Sequence, residues 1–166
     1  VDIFGETSLM AEVEVLTMGI ETMKAFGADE SMFQVYVNHR HHIDTFLSQY
    51  SDDTQGLVRL LDKWNKLSAE DMKQALLDLG IDEQGTEAIF GFMNAQSVEE
   101  VAKLFPTLTE LESFTDLQKI LEIMSSLGYE KYFKFTPSLM RGFDYYDGMV
   151  FEVFDLHPDN NRAMFG

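Results

Sequence analysis

Six residues near the C-terminal end, Met149-Val150-Phe151-Glu152-Val153-Phe154, constrain the fold of this chain more than any others. β-Branched and aromatic side chains favour extended backbone, and only Glu152 interrupts the apolar run. A run this continuous reads as a central strand covered on both faces, since an open face would call for alternation with polar residues. Asp147-Gly148 just before it is a turn dipeptide. Partners for this strand lie elsewhere in the sequence. Phe33, Val35 and Val37 alternate with Gln34 and Tyr36, a half-buried strand that Asn38 closes. Tyr132, Phe133 and Phe135 lead into Thr136-Pro137. After the loop His157-Pro158-Asp159-Asn160-Asn161, residues Ala163 to Gly166 begin a returning antiparallel strand.

Helices supply the covering layers. Leu9, Val13, Leu16, Ile20 and Met23 recur at spacings of four and three, one apolar stripe on a helix from Thr7 to Phe26 that Gly27 ends. A second helix covers His42 to Tyr50, followed by the polar break 51–56. Leu57, Leu60, Leu61 and Trp64 share a face. Ser68 with Asp71 resembles a capping box and opens a helix that Gly80 stops. Another piece runs from Asp82 to Met93. Ser97 with Glu100 caps the next, which ends near Pro106, and Thr109 with Glu112 caps the helix reaching Leu127 before Gly128. In that last helix Leu111, Phe114, Leu117, Leu121 and Met124 form the buried stripe. The pattern is α+β: sheet-forming segments at 1–55 and 108–166, and a helical insertion lobe at 56–107.

With 166 residues, 45% of them hydrophobic, the chain has material for a substantial core. The balance of 29 acidic against 12 basic residues gives a net charge of −17, which argues against general binding to a phosphate backbone. Cysteine is absent, so disulfides and thiolate metal sites are excluded. No stretch has the length of a membrane span. Both termini read as apolar rather than frayed and polar, the pattern expected of a segment cut from a larger protein.

The densest chemistry lies in Ser138-Leu139-Met140-Arg141-Gly142-Phe143-Asp144-Tyr145-Tyr146-Asp147-Gly148, at the entrance to the strong strand. Arg141 offers a planar fork of donors suited to carboxylate or phosphate. Gly142 lets backbone pass close to a ligand or to a neighbouring strand. Tyr145 and Tyr146, if extended, point to opposite sides, one toward a pocket and one into packing. The bland alternative is a strand flanked by a turn, with Arg141 and Asp144 as a structural ion pair. His39, His41 and His42 tempt a metal reading, but two imidazoles on one helical face without a placed carboxylate make a weak site. Polar residues at a helix start account for them better, and no metal is expected. Lys63 and Lys66 flank Trp64 as a candidate phosphate contact, yet residues 51–110 hold 12 acidic and five basic residues, so a solvated face with Trp64 packed inward is the safer reading. No P-loop, dinucleotide fingerprint, HExxH or nucleophile elbow occurs.

Arg141-Gly142-Phe143-Asp144-Tyr145-Tyr146, followed by Val150-Phe151-Glu152, resembles the histidine-recognition motif of the histidyl-tRNA synthetase family, within the class II aminoacyl-tRNA synthetases. Asp2-Ile3-Phe4-Gly5 looks like the tail of class II motif 2, and Ala11 to Leu16 like the helix after it. Asn38 at a strand end and the run Leu61-Asp62-Lys63 to Lys66 are similar to family features as well. The resemblance spans nearly the whole chain and is vaguest from Leu76 to Leu127. It implies part of an antiparallel-sheet catalytic domain with a helical insertion that approaches the tRNA. It further implies a cytoplasmic homodimeric parent that activates histidine with ATP and magnesium and passes it to tRNA(His). By the same resemblance Arg141 sits over the reacting carboxylate and α-phosphate. Asp2, Tyr145 and Tyr146 line the histidine pocket, and Lys63 and Lys66 are the tRNA-contact candidates. The motif 2 arginine and glutamine, motif 1, motif 3 and the anticodon-binding domain are missing from these residues, so the segment alone is expected to be inactive and to hold no cofactor. The rival readings are the non-catalytic paralogue that regulates ATP phosphoribosyltransferase, a synthetase-like domain of a signalling kinase, and a tRNA-contacting helical module.

Overall fold

The computed structural model describes residues 2–140, 148–160 and 162–166. Seven helices and four strands follow one another along these residues. They are α1 (Met10–Ala25), β1 (Phe33–His39), α2 (Arg40–Leu47), α3 (Thr54–Leu61), α4 (Ala69–Asp78), α5 (Glu83–Asn94), α6 (Val98–Leu104), α7 (Glu112–Ser126), β2 (Phe133–Phe135), β3 (Met149–Asp155) and β4 (Ala163–Phe165).

The four strands form one sheet in the order β2-β1-β3-β4. β3 runs antiparallel to both of its neighbours, β1 and β4, and β2 joins β1 in parallel. The strong apolar run is therefore central in its ladder, as expected, with β1 on one side and β4 on the other. Its two faces differ, however. Val153 is fully buried with Phe33, Val35 and Val37 against α1 and α7, whereas Glu152 and Phe154 on the opposite face are only half-buried. Glu152 marks the difference: an ionised carboxylate is costly to enclose in a dry layer, and this face stays partly open.

Local signals placed the helix ends well. Gly27, Gly80 and Gly128 all have φ between 85° and 88°, and each closes a helix with the same pair of reverse-turn hydrogen bonds. Ser68 and Ser97 cap α4 and α6 through the amides of Asp71 and Glu100. Asp53 and Asp82 do the same for α3 and α5. Thr109 does not cap α7. Its hydroxyl donates to Pro106 O within a 3-10 turn, and α7 begins after Leu111 without a side-chain cap. In α7, Ile120 rather than Leu121 completes the buried stripe of Phe114, Leu117 and Met124.

Helices α3 to α6 carry no strand, and their core joins that of the sheet layer through aromatic rings. Phe46 of α2 stacks on Phe92 of α5 at 4.4 Å between centroids and meets Phe105 edge-on at 4.7 Å. Trp64 packs edge-on against Phe90 at 4.8 Å. Aromatic pairs in these geometries stabilise beyond simple area burial, by about 0.5–1.5 kcal/mol each.

Candidate functional site

The open face of the sheet forms one wall of a groove of about 650 Å³. Strand alternation puts Tyr36 of β1, Lys134 of β2, and Glu152 and Phe154 of β3 on this wall, with Tyr36 opposite both Lys134 and Glu152 in the ladder. The rings of Tyr36 and Phe154 lie 4.9 Å apart and form its apolar floor. The facing wall comes from the helical segment: Asp62, Trp64, Asn65 and Lys66 after α3, and residues 93–96 at the end of α5. Gln34 shares the sheet face, and its Nε2 is buried without a hydrogen-bond partner among the described residues. Phenol, carboxylate and ammonium groups on one concave surface suit a polar ligand carrying charges of both signs.

Residues 135–139 close one end of this groove and lead directly to Arg141. They are held by a buried polar cluster at the junction of β1 and α2. Asn38 is fully buried and uses its whole hydrogen-bonding capacity. Its Nδ2 donates to Pro137 O at 3.0 Å and to Leu139 O at 3.1 Å. Its Oδ1 accepts from the His39 amide at 2.9 Å and pairs with His42 Nε2 at 3.1 Å. With both Nδ2 protons committed, Oδ1 is an acceptor, so His42 carries its proton on Nε2.

His42 does lie in the first turn of α2, but it is a core residue there. It is fully buried, with Phe92, Phe114 and Phe135 rings 5.9 to 6.4 Å away. Burial, followed by the neighbouring His39 and His41, lowers its pKa to about 3, so it is neutral across the physiological range. The helix begins two residues earlier than the sequence suggested because His39 caps it, its Nδ1 accepting from the His41 amide. Among the described residues no three His, Asp or Glu side chains gather as a metal site.

Arg40 is 8% exposed and sits between the two flanks of the segment 141–147. Its Nη1 donates to Met140 O at 3.2 Å, and its backbone amide donates to Gly148 O at 3.0 Å. Its Nε pairs with both carboxylate oxygens of Asp44, at 3.1 and 3.2 Å. In the sequence Asn38 reads as a strand end and a family-like feature, and Arg40 does not stand out. A polar triplet alternating through a strand-to-helix junction was the signal available.

The remaining sequence candidates fall in three places. Arg141, Tyr145 and Tyr146, together with Asp144, lie outside the described residues. Asp2 is exposed in the extended segment before α1 and lines neither this groove nor the smaller one beside α7. Lys63 and Lys66 are both exposed in the turn after α3, but only Lys66 borders the groove.

A family model described as histidyl-tRNA synthetase matches residues 1–163. The chain belongs to the histidyl-tRNA synthetase family. A histidine-tRNA ligase of Leptospira biflexa is 34% identical over 172 residues, covering all of this chain and 38% of that relative. The chain thus spans under two fifths of the length of the curated relatives it matches. Two solved structures share the fold. One is described as an ATP phosphoribosyltransferase regulatory subunit/histidyl-tRNA synthetase from Bacillus halodurans, with TM-score 0.77 and 20% identity over 96% of this chain and 42% of that one. The other is a histidyl-tRNA synthetase from Nostoc sp. PCC 7120, with TM-score 0.75 and 22% identity over 89% of this chain and 37% of that one. Among the described residues no helix is long and apolar enough to cross a membrane.

Proposed function

We propose that this chain is a catalytic-domain segment of a cytoplasmic, homodimeric histidine-tRNA ligase that activates histidine with ATP as the adenylate, releasing pyrophosphate, and then transfers the histidyl group from AMP to tRNA(His). The observation that carries the reading is the Arg141-to-Tyr146 motif, which runs into the strand whose Glu152 and Phe154 line the polar groove. The segment division 1–55, 56–107 and 108–166 belongs to this reading, with 56–107 as the insertion that meets the tRNA. Arg141 neutralises charge that develops on the α-phosphate oxygens as the adenylate forms, and lies beside the substrate carboxylate. Tyr145, Tyr146 and Asp2 receive the imidazole and amino groups of histidine. ATP and its magnesium enter as substrate. Among the described residues no carboxylate cluster converges to hold the metal, and no step is derived through a magnesium site on this chain.

The regulatory paralogue is the second reading, supported by the Bacillus halodurans fold neighbour. The ligase reading has the stronger support, because the 34% identical relative is named a ligase while the structural likeness rests on 20% identity. Histidine-dependent ATP–pyrophosphate exchange by the full-length protein carrying this segment separates the two. Exchange is expected; a histidine-binding protein without exchange overturns the ligase reading.

A further inference from the structure

We infer that the groove between the sheet and the helical segment takes the single-stranded 3′ end of tRNA(His), with Trp64 as a stacking platform for a base and Lys66 and Lys134 as phosphate contacts. The inference rests on the ligase reading given above. A path for single-stranded nucleic acid needs aromatic faces on which bases stack and cations that follow the backbone. This groove has both, on each of its walls. On the sheet wall Tyr36 and Phe154 pack together at 4.9 Å, and Lys134 stands beside Tyr36 in the β1–β2 register. On the helical wall Trp64 is half-buried, braced by Phe90 at 4.8 Å, and Lys66 follows two residues along the same turn. Trp64 therefore packs into the lobe and borders the groove at once. The Trp64 indole N–H, the Tyr36 hydroxyl and the ammonium groups of Lys66 and Lys134 have no hydrogen-bond or ion-pair partner among the described residues. Each aromatic thus has an uncommitted lysine next to it, and the two pairs face each other.

Charge selects the occupant. The chain carries −17 overall, which disfavours phosphates wherever acids dominate. In the groove Lys66 and Lys134 offset Asp62 and Glu152, so the local balance is neutral. A nucleoside triphosphate also has a base and phosphates, but it concentrates several charges at one end and would meet those two carboxylates. A single strand brings one charge with each nucleotide, which suits one lysine on each wall. Glu152 lies across the ladder from Tyr36 on the side opposite Lys134, so it keeps the phosphates toward Lys134.

The test measures binding of tRNA(His), and of the same tRNA cut back to remove its unpaired 3′ nucleotides, to the full-length protein carrying this segment. The variants are Trp64→Leu, Trp64→Phe and Lys134→Ala. Lys131→Ala is the charge control, since Lys131 pairs with Glu30 and does not border the groove. Trp64→Leu keeps an apolar side chain against Phe90, and thermal unfolding checks the fold of each variant. Trp64→Leu should weaken binding of intact tRNA roughly 10-fold and leave that of the cut-back tRNA within about twofold. Trp64→Phe should recover part of the loss, because a smaller ring still stacks. Lys134→Ala should lower the salt slope for intact tRNA by about 0.7, the value for one single-strand phosphate, and Lys131→Ala should leave it unchanged. Equal losses on both tRNAs, normal binding of intact tRNA by Trp64→Leu, or an unchanged salt slope for Lys134→Ala overturns the inference. So does a rise in the ATP KM of pyrophosphate exchange without loss of tRNA affinity, which seats the triphosphate in the groove instead. The ligase reading fails separately, when the natural full-length protein shows no histidine-dependent exchange.

Discussion

His42 makes the stability of this chain depend on pH in a way that can be worked from its surroundings. The imidazole is enclosed by three phenylalanine rings and bonded through Nε2–H to Asn38 Oδ1. Its folded pKa is about 3, against an ordinary 6.5. Between those values the unfolded chain binds a proton at this site and the folded chain does not. Stability therefore rises with pH across the window: the contribution is fully present above about 6.5 and is lost as pH falls toward 3. One unit corresponds to about 1.4 kcal/mol, so lowering the pH from 6.5 to 4.5 should remove about 2 kcal/mol through this group alone. Other groups titrate nearby, and the comparison must isolate His42. His42→Gln retains an amide donor able to reach Asn38 Oδ1 and has no proton to gain. Urea unfolding followed by far-UV circular dichroism, at half-unit steps from pH 7 to 4.5, should give a steeper loss for the natural chain than for His42→Gln. The two curves should diverge by about 2 kcal/mol at the acid end. The imidazole resonances of His42 should stay in the neutral position throughout. Parallel curves, or a His42 resonance titrating near 6.5, would refute the account of the buried cluster.

On the proposed ligase reading, Arg141→Ala in the full-length protein should depress pyrophosphate exchange mainly through kcat, by roughly 10²–10³, as expected for one preorganised donor at developing charge. Tyr146→Phe should act more through histidine KM, and normal exchange at saturating histidine by Arg141→Ala would remove it from the mechanism. Lys63→Ala with Lys66→Ala should weaken tRNA(His) binding and flatten its salt dependence, with Lys66 contributing more because it alone borders the groove. Equal single effects, or an unchanged salt slope, would leave both lysines as solvated surface. Ser97→Ala should lower stability by about 1 kcal/mol, because the Glu100 amide loses its cap. Thr109→Ala should change stability far less at the start of α7, since its hydroxyl serves only Pro106 O, and chemical denaturation of the two variants side by side checks the contrast.

Most helix ends and the two faces of β1 were legible in the sequence because the interactions that set them are local. Gly27, Gly80 and Gly128 take the left-handed backbone conformation that L side chains avoid, and Ser68 and Ser97 satisfy amides only three residues on. Strand alternation likewise assigned Val35 and Val37 to the core and left Tyr36 for the other face. The motif that suggested the family was equally local, a contiguous run from Arg141 to Tyr146 with Val150-Phe151-Glu152 after it. The polar cluster was not legible. Asn38 meets Pro137 and Leu139 across 99 and 101 residues of chain, and Arg40 meets Met140 across 100. No periodicity or cap rule reports such a contact, because it exists only after β1 pairs with β2. The same holds for the burial of His42, which its neighbours in sequence mark only as a polar residue at a helix start. Rings from α5, α7 and β2 buried it. Whether a polar side chain becomes surface, ligand or clamp depends on what the tertiary fold brings within about 3 Å of it, and that distance is not encoded in its neighbours along the chain.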